Sequence, residues 1–297
     1  MKDVPTQISR EFRVSAVGRR EEARDAVVMN PRRTGEGRKS LGDLPEGSVI
    51  GTSSVRRAAM IKRTHPHLRV ADVRGNVHTR LRKLDDPANG FDALVMAGAG
   101  LQRLGLGERI SSWLGKGEGV LHAVGQGAIG VEWRAGDGWV EGLLGDLVRG
   151  KSGREARRVR WECVVERGVL RALEGGCSVP VGVECQWEEG APPSKERVVS
   201  GEGKPAEGNK GFENDDAIPD YGRDADADGG YLVMRAMVVS LDGTECVEGE
   251  ERCYVSSDAE GEECAMRMYK QLVEKGAERI LKEITLNRGM IRGQDGA

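Results

Sequence analysis

Residues 48–97 read SVIGTSSVRRAAMIKRTHPHLRVADVRGNVHTRLRKLDDPANGFDALVMA, and this stretch decides the fold. "SVIGTSS" is a short strand that ends in small hydroxylated residues, and "VRRAAMIKRTH" continues it as a helix. "LRVADV" is a second strand, followed by the turn "RGN", which contains Gly75, and by the helical "VHTRLRKL". "FDALVMA" is a third, a continuous apolar run of the kind buried on both faces of a parallel sheet. Strand–helix alternation at this spacing predicts a doubly wound α/β domain.

In such a sheet, ligands bind beyond the carboxyl ends of the strands. Arg56, Arg57, Arg74, Arg80 and Arg103 all fall at, or just after, those ends. Thr52, Ser53 and Ser54 fall at a helix N-terminus, where free N–H groups and the dipole favour an anion. Guanidinium forks match carboxylates two hydrogen bonds at a time, a geometry that lysine does not copy. Solvated surface arginines are the plain alternative for any one of them. Their concentration at strand ends favours a cleft for a ligand with several carboxylates. A nucleotide site is disfavoured, because neither G-x-x-x-x-G-K-[ST] nor a strand followed by G-x-G-x-x-G occurs.

Working outward, "AVGQGAIGVEW" reads as a glycine-punctuated strand leaving this domain. Residues 154–173 carry Trp161, Val165, Val169 and Leu173 at helical spacing, and Gly175-Gly176 is a stop signal. Cys177, in "EGGCSVPV", then sits on a loop just past the helix end, either as a reactive thiol or as a packing residue. Residues 188–230 are polar, rich in Gly, Pro and acid, and aperiodic, which predicts a disordered insertion. Two strands follow around an Asp242-Gly243 turn. A last helix carries an apolar stripe of Tyr269, Leu272, Val273, Ala277, Ile280, Leu281 and Ile284.

At 297 residues the chain has room for about two domains. Its net charge of −3 argues against broad nucleic-acid binding. No segment approaches the ~20 apolar residues that span a bilayer. The start, "MKDVPTQISREF", lacks the apolar core of a secretory signal, which points to a reducing, intracellular compartment. The six cysteines form no C-x-x-C and no metal spacing with the four histidines, so zinc is not expected, and the reducing compartment disfavours structural disulfides. Lys2 and Asp3 precede Val4-Pro5, and a lone acid near a terminus is ordinarily solvent-exposed.

Seven segments, "MKDVPT", "REEARDA", "GTSSVRRAA", "VRGNVHTRLRKLD", "AGLQRLGL", "AVGQGAIGVE" and "LEGGCSVPVG", together resemble the porphobilinogen deaminase (hydroxymethylbilane synthase) family, in the family's order. The resemblance implies a transferase of tetrapyrrole biosynthesis that condenses four porphobilinogen molecules into hydroxymethylbilane with release of ammonia. It implies a dipyrromethane cofactor joined by a thioether to Cys177, and no metal. It places the catalytic acid on Asp3, which in that picture is a buried carboxylate beside the pyrrole N–H. Lys2, Thr52, Ser53, Ser54, Arg56, Arg57, Arg74, Gly75 and Arg80 become cofactor-binding positions, and Arg103 a substrate-binding one. The protein is then expected to be a cytoplasmic monomer with no nucleic-acid or membrane partner.

The implied architecture is two doubly wound, periplasmic-binding-protein-like domains, the first incomplete, and a C-terminal α+β domain. Residues 1–23 and 124–148 would be the remnant of the first, 24–123 the second, and 149–297 the cofactor-attachment domain with its insertion at 188–230. The chain begins inside the family's "KDVP" segment, so the sheet carrying Asp3 is expected to have an open edge and exposed apolar surface. Gly98, in "MAGAGL", departs from the family's pattern. Two alternatives accompany this reading: a non-catalytic remnant that only binds carboxylated pyrroles, and a periplasmic-type anion-binding protein, which needs a secretion signal and gives Cys177 no role.

Overall fold

The computed structural model describes residues 1–149, 153–173, 179–188 and 229–284. In chain order its elements begin with β1 (Phe12–Val17), β2 (Asp25–Met29), α1 (Pro31–Gly35), β3 (Val49–Gly51), α2 (Val55–Thr64) and β4 (Arg69–Ala71). There follow α3 (Val77–Asp85), β5 (Ala93–Ala97), α4 (Gly98–Arg103), β6 (Ser112–Leu114), β7 (Ile129–Arg134) and α5 (Gly138–Arg149). The chain continues through α6 (Gly153–Ala172), β8 (Val181–Trp187), β9 (Gly230–Val239), β10 (Cys246–Val255) and α7 (Asp258–Glu274).

Five strands form one sheet in the order β4-β3-β5-β2-β6. The β3–β4 and β3–β5 pairs are parallel, as the strand–helix alternation predicts, but β2 runs antiparallel to both β5 and β6. All five residues of β2 are buried. Because strand side chains alternate in direction, Val27 and Met29 join one core while Ala26 and Val28 join the other. Met60 and Ile61 of α2 cover the first face, and Leu81 and Leu84 of α3 with Leu101 of α4 cover the second. Gly98 has a packing reason. A Cβ there would lie 2.0 Å from Cζ3 of Trp113, whose ring occupies that space and is itself covered by the Arg24 guanidinium.

β1 and β7 make a separate two-stranded antiparallel sheet, Phe12 opposite Arg134 and Val17 opposite Ile129. Asp3 is not on it; it lies in a turn ahead of β1. Apolar surface is exposed at Ile129 of β7 and at Trp139 and Leu143 of α5, with Trp139 77% accessible. The strand in "AVGQGAIGVEW" is shorter than its apolar character suggests. Gly125 and Gly127 adopt φ of 66° and 82°, so the chain turns before Ile129 and only then extends.

The remaining strands form an antiparallel sheet, β10-β9-β8. Its inner face packs on α6 and α7 through Val165, Val169, Met234, Val238, Met268 and Leu272. The Asp242-Gly243 turn joins β9 to β10: Ser240 Oγ and the Thr244 N–H and hydroxyl all donate to Asp242 Oδ1, holding its pKa down to about 2. The last helical stripe is broken at Gly276, with φ of 99°, and helix resumes over residues 277–284. The 188–230 insertion lies outside the described residues apart from its ends. There the Glu188 N–H donates to Tyr231 O, and Gly230 already belongs to β9, so ladder pairing persists further than the composition suggested.

One cysteine expectation is overturned. Cys253 on β10 and Cys264 on α7 are joined by a disulfide with Cα atoms 6.0 Å apart, both residues buried, because the strand and helix bring them face to face inside the core. Among the described residues, Cys163, Cys185 and Cys246 are free. Burial pushes the Cys163 thiol up to about 12, which makes it inert. No described helix is long and apolar enough to cross a membrane.

Candidate active site

A cavity of about 240 Å³ opens where the amino-terminal turn, the start of α2, residues 123–126 and the end of α6 meet. Lys2, Asp3, Ser54, Arg56 and Arg57 line it, so five of the residues singled out by sequence converge on one space. Leu170, Val179 and Val181 complete its apolar wall. Cys177 itself lies outside the described residues.

The positive floor of the cavity follows from helix geometry. Ser54 is the N-cap of α2 and its hydroxyl accepts from Arg57 N–H, which places Arg56 and Arg57 in the first turn. Both are buried, at 5% and 8% exposure. Arg56 Nη2 donates to Asp25 Oδ2 at 2.7 Å and Arg57 Nη2 to Asp25 Oδ1 at 2.8 Å. Gln126 Nε2 donates to the same Oδ1 at 2.8 Å and to Ala23 O at 2.6 Å. Burial alone would raise the Asp25 pKa, but the two guanidiniums and these hydrogen bonds outweigh it and hold the carboxyl well below its usual range. Two cations face one anion, which leaves one positive charge in excess. Arg57 Nε, moreover, is buried with no hydrogen-bond partner among the described residues. Burial pulls the Arg56 pKa down, partly opposed by Asp25. A cluster of this kind favours an incoming carboxylate, which would supply the missing charge and acceptor.

Asp3 stands at the mouth of this space. Its carboxylate accepts from Lys2 Nζ at 2.7 Å and is 85% exposed, not buried as the resemblance implied. The reason is local: it sits in a turn closed by Val4 N–H donating to Met1 O, outside any strand. An exposed pair of this kind contributes only about 0–1 kcal/mol, so Lys2 leaves the acid free to exchange partners. The turn is seated by its backbone. Met1 N donates to Ala128 O at 2.9 Å, and Arg167 of α6 donates to Val4 O at 3.3 Å and to Pro5 O at 2.8 Å.

The other predicted positions are not on the cavity wall. Thr52 is buried and accepts from Ser54 N–H, while the Ser53 hydroxyl donates to Val73 O; both shape the entry to α2. Arg80 donates to Gly75 O at 2.7 Å, and this position requires glycine, because its φ is 120° and a Cβ would lie 2.7 Å from Thr79 Cγ2. Burial lowers the Arg80 pKa, and the like charge of Arg57 lowers it further, so Arg80 faces the same positive field. Arg74 is solvent-exposed and paired with Asp72 at 2.8 Å. Arg103 donates to Gly127 O at 2.9 Å and lies 3.9 Å from Glu21, bracing the glycine turn from outside.

Sequence reading missed Asp25, Gln126 and Arg167. Asp25 had a signal: an acid opening the fully apolar run "AVVM" requires a cation once the strand is buried. The loop carrying Gln126 is fixed by a second buried network. Arg20 donates to Glu162 and, through both terminal nitrogens, to Glu166, and Glu166 accepts from Gly125 N–H at 2.7 Å. Burial favours the protonated form of Glu166, but Arg20 dominates and keeps it ionised.

Comparison with known proteins shows the family. Residues 1–141 match the family model described as porphobilinogen deaminase, dipyromethane cofactor binding domain, and residues 161–191 match its C-terminal domain. The chain is 36% identical over 290 residues to porphobilinogen deaminase of Candida albicans, covering 98% of this chain and 70% of that relative. It is 39% identical over 286 residues to that of Yarrowia lipolytica, covering 96% and 70%. For the Dictyostelium discoideum protein the figures are 36% over 283 residues, 95% and 73%. On the strength of these matches, this chain belongs to the porphobilinogen deaminase family.

Proposed function

We propose that this protein is a hydroxymethylbilane synthase, condensing four porphobilinogen molecules into a linear tetrapyrrole with loss of ammonia at each addition. The observation that carries this reading is the buried Arg56–Asp25–Arg57 cluster, with its excess charge and its unpartnered Arg57 Nε, beneath a cavity whose mouth holds Asp3. Each pyrrole unit of the substrate carries two carboxylates, and this floor accepts carboxylates.

Dipyrromethane fits the same residues, since its acid arms find the cationic floor and its rings find the apolar wall of Leu170, Val179 and Val181. Cys177 is its anchor in this proposal, two residues before Val179. When bound, the cofactor supplies an electron-rich terminal pyrrole carbon on which the chain grows. Arg56 and Arg57 hold carboxylates against the floor, and Arg80 extends that field towards the β4–α3 turn. Thr52, Ser53, Ser54 and Gly75 set the backbone that presents these arginines, Arg74 and Arg103 serve the outer rim, and Lys2 neutralises Asp3 until substrate arrives. Asp3 then faces the pyrrole N–H of porphobilinogen, stabilising positive charge as ammonia leaves the aminomethyl carbon and taking the proton released when that carbon bonds to the growing chain. Its exposure suits a group that must receive a new ring at each cycle.

The proposed architecture assigns the β1–β7 sheet, from residues 1–23 and 124–148, to a first domain and the five-stranded sheet, residues 24–123, to a second. Both are periplasmic-binding-protein-like, and the latter is doubly wound around β3, β4 and β5. Residues 149–297 form the cofactor-attachment domain. A cytoplasmic monomer without nucleic-acid or membrane partners completes the proposal. Incubation of the purified protein with porphobilinogen, followed by oxidation and detection of uroporphyrin, tests it. Sustained formation proportional to enzyme is expected. Uroporphyrin no greater than in a protein-free control would leave the chain a pyrrole-binding remnant.

A further inference from the structure

From the contacts at the amino-terminal turn, we infer that Arg167 is the positioning residue for Asp3. This rests on the catalytic reading above and adds to it a residue to which that reading gives no role. Asp3 has little packing of its own: it is 85% exposed, and among the described residues its ion pair is with its flexible neighbour Lys2. The place of its carboxylate is therefore set by its backbone. The stretch between Asp3 and the start of β1 at Phe12 belongs to no strand, so no ladder fixes it. Arg167 supplies that constraint with a fork, one terminal nitrogen to Val4 O at 3.3 Å and the other to Pro5 O at 2.8 Å. Pro5 restricts the same peptide from within, by fixing its own φ and narrowing the choices of Val4.

The origin of the fork matters as much as its targets. Arg167 is 8% exposed, on the buried side of α6, and it lines the same cavity as Asp3, Arg56 and Arg57. α6 is the helix that runs on towards Cys177, ten residues further along the chain. One rigid element thus both lines the cavity and holds the acid-bearing turn. Small displacements matter here, since misplacement of a catalytic group by about 1 Å costs on the order of 100-fold in rate. A lysine keeps the charge of Arg167 but cannot hold two adjacent carbonyls in one plane. That separates positioning from simple attraction of a carboxylate.

The test compares the full chain with Arg167→Gln and Arg167→Lys. Four quantities are read: covalent cofactor mass, kcat, KM for porphobilinogen, and hydrogen exchange in the peptide covering residues 1–12. Both variants are expected to load cofactor fully and to keep KM within about threefold, while kcat falls roughly 10- to 100-fold. Exchange at residues 1–12 should accelerate in both, and lysine should recover no more than about threefold in kcat. Full recovery by lysine, a kcat within about twofold of the parent, or equal loss of loading and turnover would each overturn the assignment. If the parent itself shows no turnover, the catalytic proposal fails separately. Exchange then decides for Arg167, and an unchanged rate at residues 1–12 would refute it.

Discussion

Asp25→Asn is the most informative single change to the cavity floor. The carboxylate is fully buried, and two guanidiniums and one amide donate to its oxygens. Asparagine keeps the shape but removes the charge and turns an NH2 towards guanidinium donors that need an acceptor. Arg56 and Arg57 are then two buried like charges without the carboxylate to which both donate. Breaking a buried pair from one side costs about 3–5 kcal/mol, and at roughly 2 °C per kcal/mol for a chain of this size the thermal midpoint should fall by about 6–10 °C at pH 7. Arg57→Gln should cost less, about 1–3 kcal/mol, because Asp25 and Arg56 remain matched one to one. The pH dependence follows from linkage. The folded Asp25 pKa lies below the ordinary 3.8, so its stabilisation is complete above that value and is lost as pH falls through the folded pKa. The gap between parent and Asp25→Asn, measured by denaturant titration, should therefore be constant near neutrality and narrow only below about pH 4. A gap under about 1 kcal/mol at pH 7, or one that widens towards acid, would refute the reasoning.

Two further changes test separate parts of the account. Asp3→Asn should retain cofactor loading while kcat drops about 10²- to 10⁴-fold, measured by intact mass and uroporphyrin formation on the same sample; equal loss of both would deny Asp3 a role confined to turnover. Gly98→Ala should lower stability by about 1–3 kcal/mol through overpacking against Trp113, read as a fall in the thermal midpoint, and an unchanged midpoint would show that the indole has room to move.

The run β3–α2–β4–α3–β5 was legible from strand–helix alternation, and β5 also because a strand covered on both faces reads as an unbroken apolar stretch. The reversal of β2 was not, since an apolar pentapeptide carries no sign of its direction. Positive charge at the site was legible from position alone, as Arg56 and Arg57 begin a helix after a strand. Their counter-ion was not, because Asp25 meets them only after 31 and 32 residues of intervening fold. Asp3 was identified only by resemblance, and its exposure reflects a turn whose geometry is imposed from α6. Arg167 was hidden for a related reason: an arginine in a helix normally reads as part of the solvated face, and only tertiary packing turns it inward. The Cys253–Cys264 pair was disfavoured on compartment grounds, whereas strand–helix packing sets the two residues together regardless of compartment.

The most direct measurement is the intact mass of the purified chain and of Cys177→Ser, before and after exposure to porphobilinogen, with peptide mapping of the adduct. The account predicts a dipyrromethane increment on the Cys177 peptide of the parent and none on the serine variant. An increment that persists in the serine variant, or that maps to another cysteine, would contradict it.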